Sequence, residues 1–341
     1  MIVPVLRILV LLASLASMVL CESCTAKPTI RAPGAVPFTL KGRAIERFRR
    51  GDDTSIFGSL EFRGGLELSA DSPDFGGISG LSVATDGQAF VAASDAGLWV
   101  TGRFVETDGH LSGVENAAIG PILGMSGKTL AAMGRADTES LGLADGKAYV
   151  GIEGVNEIWS FPFGQDGMLA RGHKEPVPPG ILTLPGNSGL EALTLAPAGS
   201  ALAGAIVAIS ERSGAEDAPT KGFIIGGPLA GEFLLKRTPP YDITDIAFLP
   251  GGDLLVLERR ASLADGFGMR LRRISGADIR PGAVLDGPVL LEAGRESQID
   301  NMEALSVSGG AKGETILTLM SDDNYSYFQR SLVLRFALVE K

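Results

Sequence analysis

The chain has 341 residues, 45% of them hydrophobic and 21% charged, an ordinary globular balance. Its formal net charge of −10 argues against nucleic acid as a partner and suits cations instead. With Gly 46 and Pro 19 the composition favours a turn-rich, all-β fold over a helical one, and a single domain is compatible with the length.

The first segment reads as an export signal. Arg7 supplies a short positive start, and Ile8 to Leu20 is an unbroken apolar run, too short for a comfortable membrane span. Cleavage is expected after Ala26. Residues 1–26 are then a signal peptide, and the mature chain has 341 − 26 = 315 residues, periplasmic or secreted, with no transmembrane segment. Both cysteines, Cys21 and Cys24, fall in the removed part, so the mature chain has no disulfide or thiol chemistry. A lipidated Cys21 is the alternative to a free product, although Leu20 stands where lipidation wants a small residue. Residues 27–54 read as an irregular lead-in, and residues 55–341 as one β domain.

In that domain a pattern recurs: "ISGLSVATDGQAFVAASDAG", "DTESLGLADGKAYVGIEGVNEIWSF", "SGLEALTLAPAGSALAGAIVAISERSG", "DITDIAFLPGGDLLVLERR" and "DNMEALSVSGGAKGETILTLMSDDN". Each copy starts on a polar residue, alternates apolar and small residues, and turns at a glycine. A second β-rich run then ends in a polar or acidic tip, which is a hairpin each time. The leading residues are Ser79, Glu139, Glu191, Thr244 and Glu303, spaced by 60, 52, 53 and 59 positions. All-β repeats of this size, with about four strands each, predict a single β-propeller. Five anchors favour five blades, and a sixth has room in Ser262–Ile299, where the pattern blurs. "SIFGSLEFRGGLEL", Ser55–Leu68, is expected to pair with "SLVLRFALV", closing the ring with N- and C-terminal strands.

In a propeller blade the first strand starts, and the second ends, on one face. The leading residues are therefore expected to converge with the tips around one channel mouth. The tips are Ser94–Asp95, Glu153, Ser210–Glu211–Arg212, Glu258–Arg259 and Ser321–Asp322–Asp323–Asn324.

The segments "ADTESLGLADGKAYVGIEGVNEIWSF", "NSGLEALTL", "DNMEALSV" and "TLMSDDNYSYFQRSLVLRFAL" resemble the motifs of the phytase-like, "esterase-like activity of phytase" domain of secreted bacterial proteins, over roughly Phe57 to Leu338. The resemblance implies a propeller related to calcium-dependent phytases, which hydrolyse phosphate monoesters at a calcium-lined face. It places the family's acidic positions on Glu139, Glu153, Glu191, Glu303, Asp322 and Asp323.

The chemistry of such a ring is constrained. Carboxylates held close raise one another's pKa unless a cation neutralises them. Ca²⁺, which takes about six to eight oxygen ligands, resolves that conflict and offers an anionic ester its counter-charge. Asp322, Asp323, Glu303, Glu153 and Glu211 are the expected metal ligands. Glu139, Glu191 and Glu303 are the expected catalytic carboxylates, and Arg212, Arg259 and Asn324 the groups for the substrate anion. A plainer reading stands beside each. Glutamates at blade starts lock blades by bonding backbone N–H groups, arginines bridge neighbouring glutamates, and Asn187 and Asn301 serve turns. Two other functions fit the same ring. One is a non-catalytic ligand- or protein-binding propeller of the cell envelope. The other is a lactonase-type hydrolase with one axial metal held by two Asn and two acids. With only His110 and His173, both in Gly-rich loops, zinc and a Ser–His–Asp triad are poorly supported. "GKT" at 127–129 lacks the first glycine of a phosphate loop and reads as a turn.

Overall fold

The computed structural model describes residues 32–262 and 264–339. The expected signal peptide and both cysteines lie outside the described residues. Among those residues no helix is long and apolar enough to cross a membrane.

Five sheets stand in a ring, so the fold is a five-bladed β-propeller. Blade one runs outward through Ile78–Val83, Ala89–Ser94, Leu98–Thr107 and His110–Pro121. Blade two runs through Thr138–Ala144, Lys147–Ile152, Glu157–Phe161 and Arg171–Lys174. Blade three comprises Leu190–Leu195, Ile206–Ser210, Thr220–Ile225 and Gly231–Leu235, and blade four Asp242–Phe248, Leu254–Ser262, Gly266–Ile274 and Val289–Ala293. Hairpins join the strands. Between Thr138–Ala144 and Lys147–Ile152 the two turn residues, Asp145 (φ 50°) and Gly146 (φ 75°), both take the left-handed conformation that a tight hairpin turn requires.

Blade five closes the ring. Asn301–Gly309, Thr315–Asp322 and Ser331–Leu338 come from the C-terminal end, and Leu60–Ala70 pairs onto Ser331–Leu338, as expected. The lead-in, expected to be irregular, contributes two strands. Leu40–Ile45 is the outermost strand of blade five, and Val36–Pro37 edges blade one. Its short alternation, one buried residue at each end of Leu40–Ile45, gave little periodic signal. Among the described residues there is no sixth blade. Ser262–Ile299 holds the outer strands of blade four plus Val284–Leu285, which pairs in parallel with blade three.

The core sits between blades. Five apolar clusters fill the five blade interfaces, for example Trp99 against Phe161 between blades one and two, and Leu257 and Met269 against Leu317 and Phe336 between four and five. The innermost strands pack side by side around the axis, with Asn301–Gly309 returning to Ile78–Val83.

Every innermost strand carries a β-bulge at the same height. Pairing steps from Ile78 to Gly80, Thr138 to Ser140, Leu190 to Ala192, Ile243 to Asp245 and Met302 to Ala304, while the partner strand advances one residue. The skipped residues are Ser79, Glu139, Glu191, Thr244 and Glu303, the five leading residues of the repeat. A bulge re-aims the extra side chain. Two of the five lock neighbouring blades: Ser79 Oγ donates to the carbonyl of Thr138, and Thr244 Oγ1 to that of Met302 at 3.0 Å. The three glutamates are left for the channel mouth.

Candidate functional site

Bulges and strand tips meet in one cavity of about 200 Å³. Glu139, Glu191 and Glu303 enter it from the bulges, and Asp95, Glu153, Glu211 and Asp322 from the ends of second strands. Asn187, Asn324 and Arg259 complete the lining, so seven carboxylates face one cation. The register explains the tips. Ser94, Ile152, Ser210, Glu258 and Ser321 all pair with the residue just before a bulge. The next residue of each strand points into the cavity: Asp95, Glu153, Glu211, Arg259 and Asp322. The tip of blade four is therefore Arg259 and not Glu258, which the sequence grouped with the acidic tips. One step along a strand reverses the side chain.

The electrostatics of the cavity are unrelieved. Burial, then the charges of Glu303, Asp137 and Asp323, push Asp95 up to about 7. Burial likewise pushes Glu153 up to about 7, partly offset by the N–H of Gly189, which donates to Oε1 at 3.1 Å. Glu139, Glu191 and Asp322 are raised well above the carboxylate range by burial and then by their acidic neighbours. Asp95 Oδ1 is buried with no hydrogen-bond partner. At Gly77 (φ 61°) a Cβ would come within 2.1 Å of that oxygen, so only glycine fits behind it.

Asn301 and Arg259 tie part of the ring together. Asn301 Nδ2 donates to Glu303 Oε1 (2.8 Å) and Asp322 Oδ2 (3.4 Å), while its Oδ1 accepts from Arg259 Nη1 (3.1 Å). Arg259 also lies 3.3 Å from Glu303 and 3.8 Å from Glu211. Burial alone would lower Arg259, but Glu303, Glu191, Glu211 and Asp322 outweigh it and hold the guanidinium firmly charged. On the opposite side Asp137, Glu139 and Glu153 bring carboxylate oxygens within 4.8 Å of one another.

The family model for esterase-like activity of phytase matches residues 73–325, which spans every bulge and every tip. The chain belongs to this phytase-like family. No curated protein matches it. Among solved structures it is similar to a chain of a nidogen/laminin complex (10% identity, 86% of this chain and 91% of that one covered, TM-score 0.38). It is also similar to a PQQ-bound aldose sugar dehydrogenase from Streptomyces coelicolor (12%, 89% and 100%, 0.41) and to glutaminyl cyclase from Myxococcus xanthus (12%, 78% and 92%, 0.37).

Three residues singled out in the sequence point away from the cavity of this phytase-like propeller. Asp323 follows the tip and faces blade one. Its Oδ1 accepts from the N–H groups of Gly77 (3.1 Å) and Tyr325 (3.0 Å), and its Oδ2 from Ser331 Oγ (2.5 Å). Tyr325 in turn reaches Ser94 Oγ at 3.0 Å, so this loop fastens blade five to blade one. Arg212 pairs with Asp242 in an adjoining pocket. Glu258 is wholly buried between Arg270 (2.6 Å) and Arg272 (2.8 Å). Glu258→Gln is expected to cost about 3 kcal/mol in urea denaturation, because buried Arg270 loses its counter-charge and Arg272 keeps only half-exposed Asp286. A loss under about 1 kcal/mol would show that water reaches them.

Sequence reasoning missed Asp137. It stands two residues before the bulge, a position occupied by Gly77, Asp137, Gly189, Asp242 and Asn301 in the five blades. Aligning the copies on their leading residues exposes this second, partly polar column.

Proposed function

We propose that this phytase-like propeller is an exported, divalent-cation-dependent hydrolase of anionic esters, with Ca²⁺ as the resident cation. One observation carries the reading: seven carboxylates converge on a cavity with a single arginine, and burial lifts most of them above their usual range. The donor set fits such an ion. It is all oxygen, it includes a buried carboxylate oxygen without a partner, and it brings oxygens of three carboxylates within 4.8 Å of one another, the span of one coordination sphere. The residues that would hold cations are Asp137, Glu139 and Glu153 on one side, and Glu211, Glu303 and Asp322 on the other. When bound, the cation supplies charge against a developing oxyanion and acidifies water.

The chain's own groups do the rest. Asp95 and the bulge carboxylates Glu139, Glu191 and Glu303 are the candidates to take a proton from attacking water, and burial has already raised the basicity of Asp95, Glu139 and Glu191. Asn301 fixes Glu303 and Asp322 in orientation through its amide. Arg259 and Asn324 are the groups for the substrate anion, with Arg212 nearby and Asp323 as a support of the tip.

The test is turnover of p-nitrophenyl phosphate and p-nitrophenyl acetate by the full chain. Hydrolysis of the phosphate ester, lost with EDTA and restored by Ca²⁺, is the expected result, and hydrolysis of the neutral acetate alone would overturn the preference for an anionic ester. Calcium binding without turnover of any ester favours a ligand-binding propeller instead, and turnover indifferent to chelation sinks the metal reading.

A further inference from the structure

Arg259 is the wall between two compartments. On one side is the acidic cavity. On the other is a pocket of about 250 Å³, lined by Arg212, Arg237 and Arg259 together with Glu211, Glu216 and Asp242. Asp242 is shared. Arg212 donates through Nε to its Oδ1 at 3.0 Å, and Arg237 bonds the same oxygen through Nη2. Two guanidiniums thus divide one carboxylate. Arg237 is 6% exposed, yet its Nε is buried and makes no hydrogen bond. Arg259 Nε is also buried and unbonded, its 3.3 Å approach to Glu303 being an ion pair without hydrogen-bond alignment. What the pocket itself offers is three guanidiniums around a polar space of about 250 Å³, two of them dividing one carboxylate, which is room and charge for a small oxyanion.

The charge count makes the pocket conditional. As built, three arginines face three carboxylates. Glu211 and Arg259 belong to both compartments. A divalent cation that draws Glu211 and Glu303 to itself removes one carboxylate from the pocket and frees Arg259 from its ion pairs. The pocket then turns net positive.

We propose that the arginine-lined pocket is an oxyanion site, for a phosphate or carboxylate of the substrate, and that Arg259 is a displaceable internal cation which joins this site when a divalent metal takes over its carboxylates. The inference rests on the cation-binding reading of the acidic cavity and adds to it an order of events. Metal and anion bind cooperatively, because each relieves a charge that the other's absence leaves unbalanced.

Calorimetric titration of the full chain with Ca²⁺ and with inorganic phosphate decides it. Phosphate is expected to bind about tenfold tighter, or more, when calcium saturates the protein. Arg212→Gln should abolish most of that phosphate binding while calcium affinity stays as in the wild type. Arg259→Gln should bind calcium about tenfold tighter than wild type in phosphate-free buffer, since the metal no longer competes with an internal cation. If that variant does not fold, Arg259→Lys, which keeps the charge and loses the fork, should fall between the two. Phosphate affinity unchanged in Arg212→Gln would place the anion on the metal and overturn the pocket. Calcium affinity unchanged or weaker in the Arg259 variants overturns the displacement. Calcium that binds without tightening phosphate sinks this inference alone, whereas calcium that never binds sinks the cavity reading along with it.

Discussion

Glu139→Gln/Glu191→Gln is expected to weaken calcium binding at least about 100-fold while melting roughly 5 °C higher than the wild type in EDTA. Both outcomes follow from the same arrangement. The two glutamates sit on bulges of adjacent blades; desolvation raises both, Glu191 adds to the rise of Glu139, and Glu211, Glu153 and Glu303 add to that of Glu191. Without a cation the folded protein must either keep their charges in a crowded, poorly solvated cavity or take up two protons. Either costs stability relative to the unfolded chain, where both ionise freely. Glutamine keeps the shape and removes that cost. It also removes one anionic donor, Glu139, and the neighbouring charge of Glu191, both of which favour a hard dication in the cavity. A purely structural role predicts the opposite sign. Glutamates that lock blades would leave the variant less stable, with or without metal. Differential scanning calorimetry in EDTA and in calcium separates the two directly, and a lower melting temperature in EDTA refutes the site.

The ring was legible in the sequence because each blade repeats a turn and an alternating hairpin, and because "SLVLRFALV" follows the last repeat and Ser55–Leu68 precedes the first, leaving the two to meet. The leading residues were legible for a sharper reason. A polar residue among the buried residues of a strand breaks alternation, and all five positions, three of them glutamates, fell on the bulges that break the pairing. The blade count was blurred by one excursion, Gly276–Leu285, which leaves blade four to pair with blade three and so follows no hairpin rhythm. The lead-in was missed because an outermost strand buries only its ends.

The site was legible in outline and misread in register. "LERR" and "MSDDN" carry their charges in runs, and composition does not say which member of a run faces the axis. Pairing does. In blade four the bulge register hands the tip to Arg259 and turns Glu258 onto Arg270 and Arg272. In blade five it hands the tip to Asp322 and turns Asp323 onto Gly77. The outcome is a cavity with one cation at a position where four blades place an acid, an asymmetry invisible until the strands are aligned on their bulges.

The metal-free protein is expected to melt roughly 10 °C lower at pH 8 than at pH 5, and saturating calcium to erase most of that difference. Asp95 and Glu153 have folded values near 7, against 3.8 and 4.5 for the free side chains. Between those limits the folded state holds more protons than the unfolded one. Stability therefore falls as pH rises: the contribution is complete below about pH 4 and is lost as pH passes through about 7. Glu139, Glu191 and Asp322 shift in the same direction and extend the loss upward. Groups shifted the other way do not compensate. Burial would raise Glu157, but Arg135, Lys174 and Trp159 hold it down to about 2, so its stabilisation is already complete by pH 5 and stays constant above it. The net charge of −10 adds self-repulsion with the same sign. Calcium binds the deprotonated carboxylates, so its stabilising increment should be small at pH 5 and large at pH 8. An increment equal at both pH values, or an EDTA melting curve that rises with pH, would mean that the seven carboxylates are already neutralised within the fold. The cavity would then be a set of blade locks with no call for a cation.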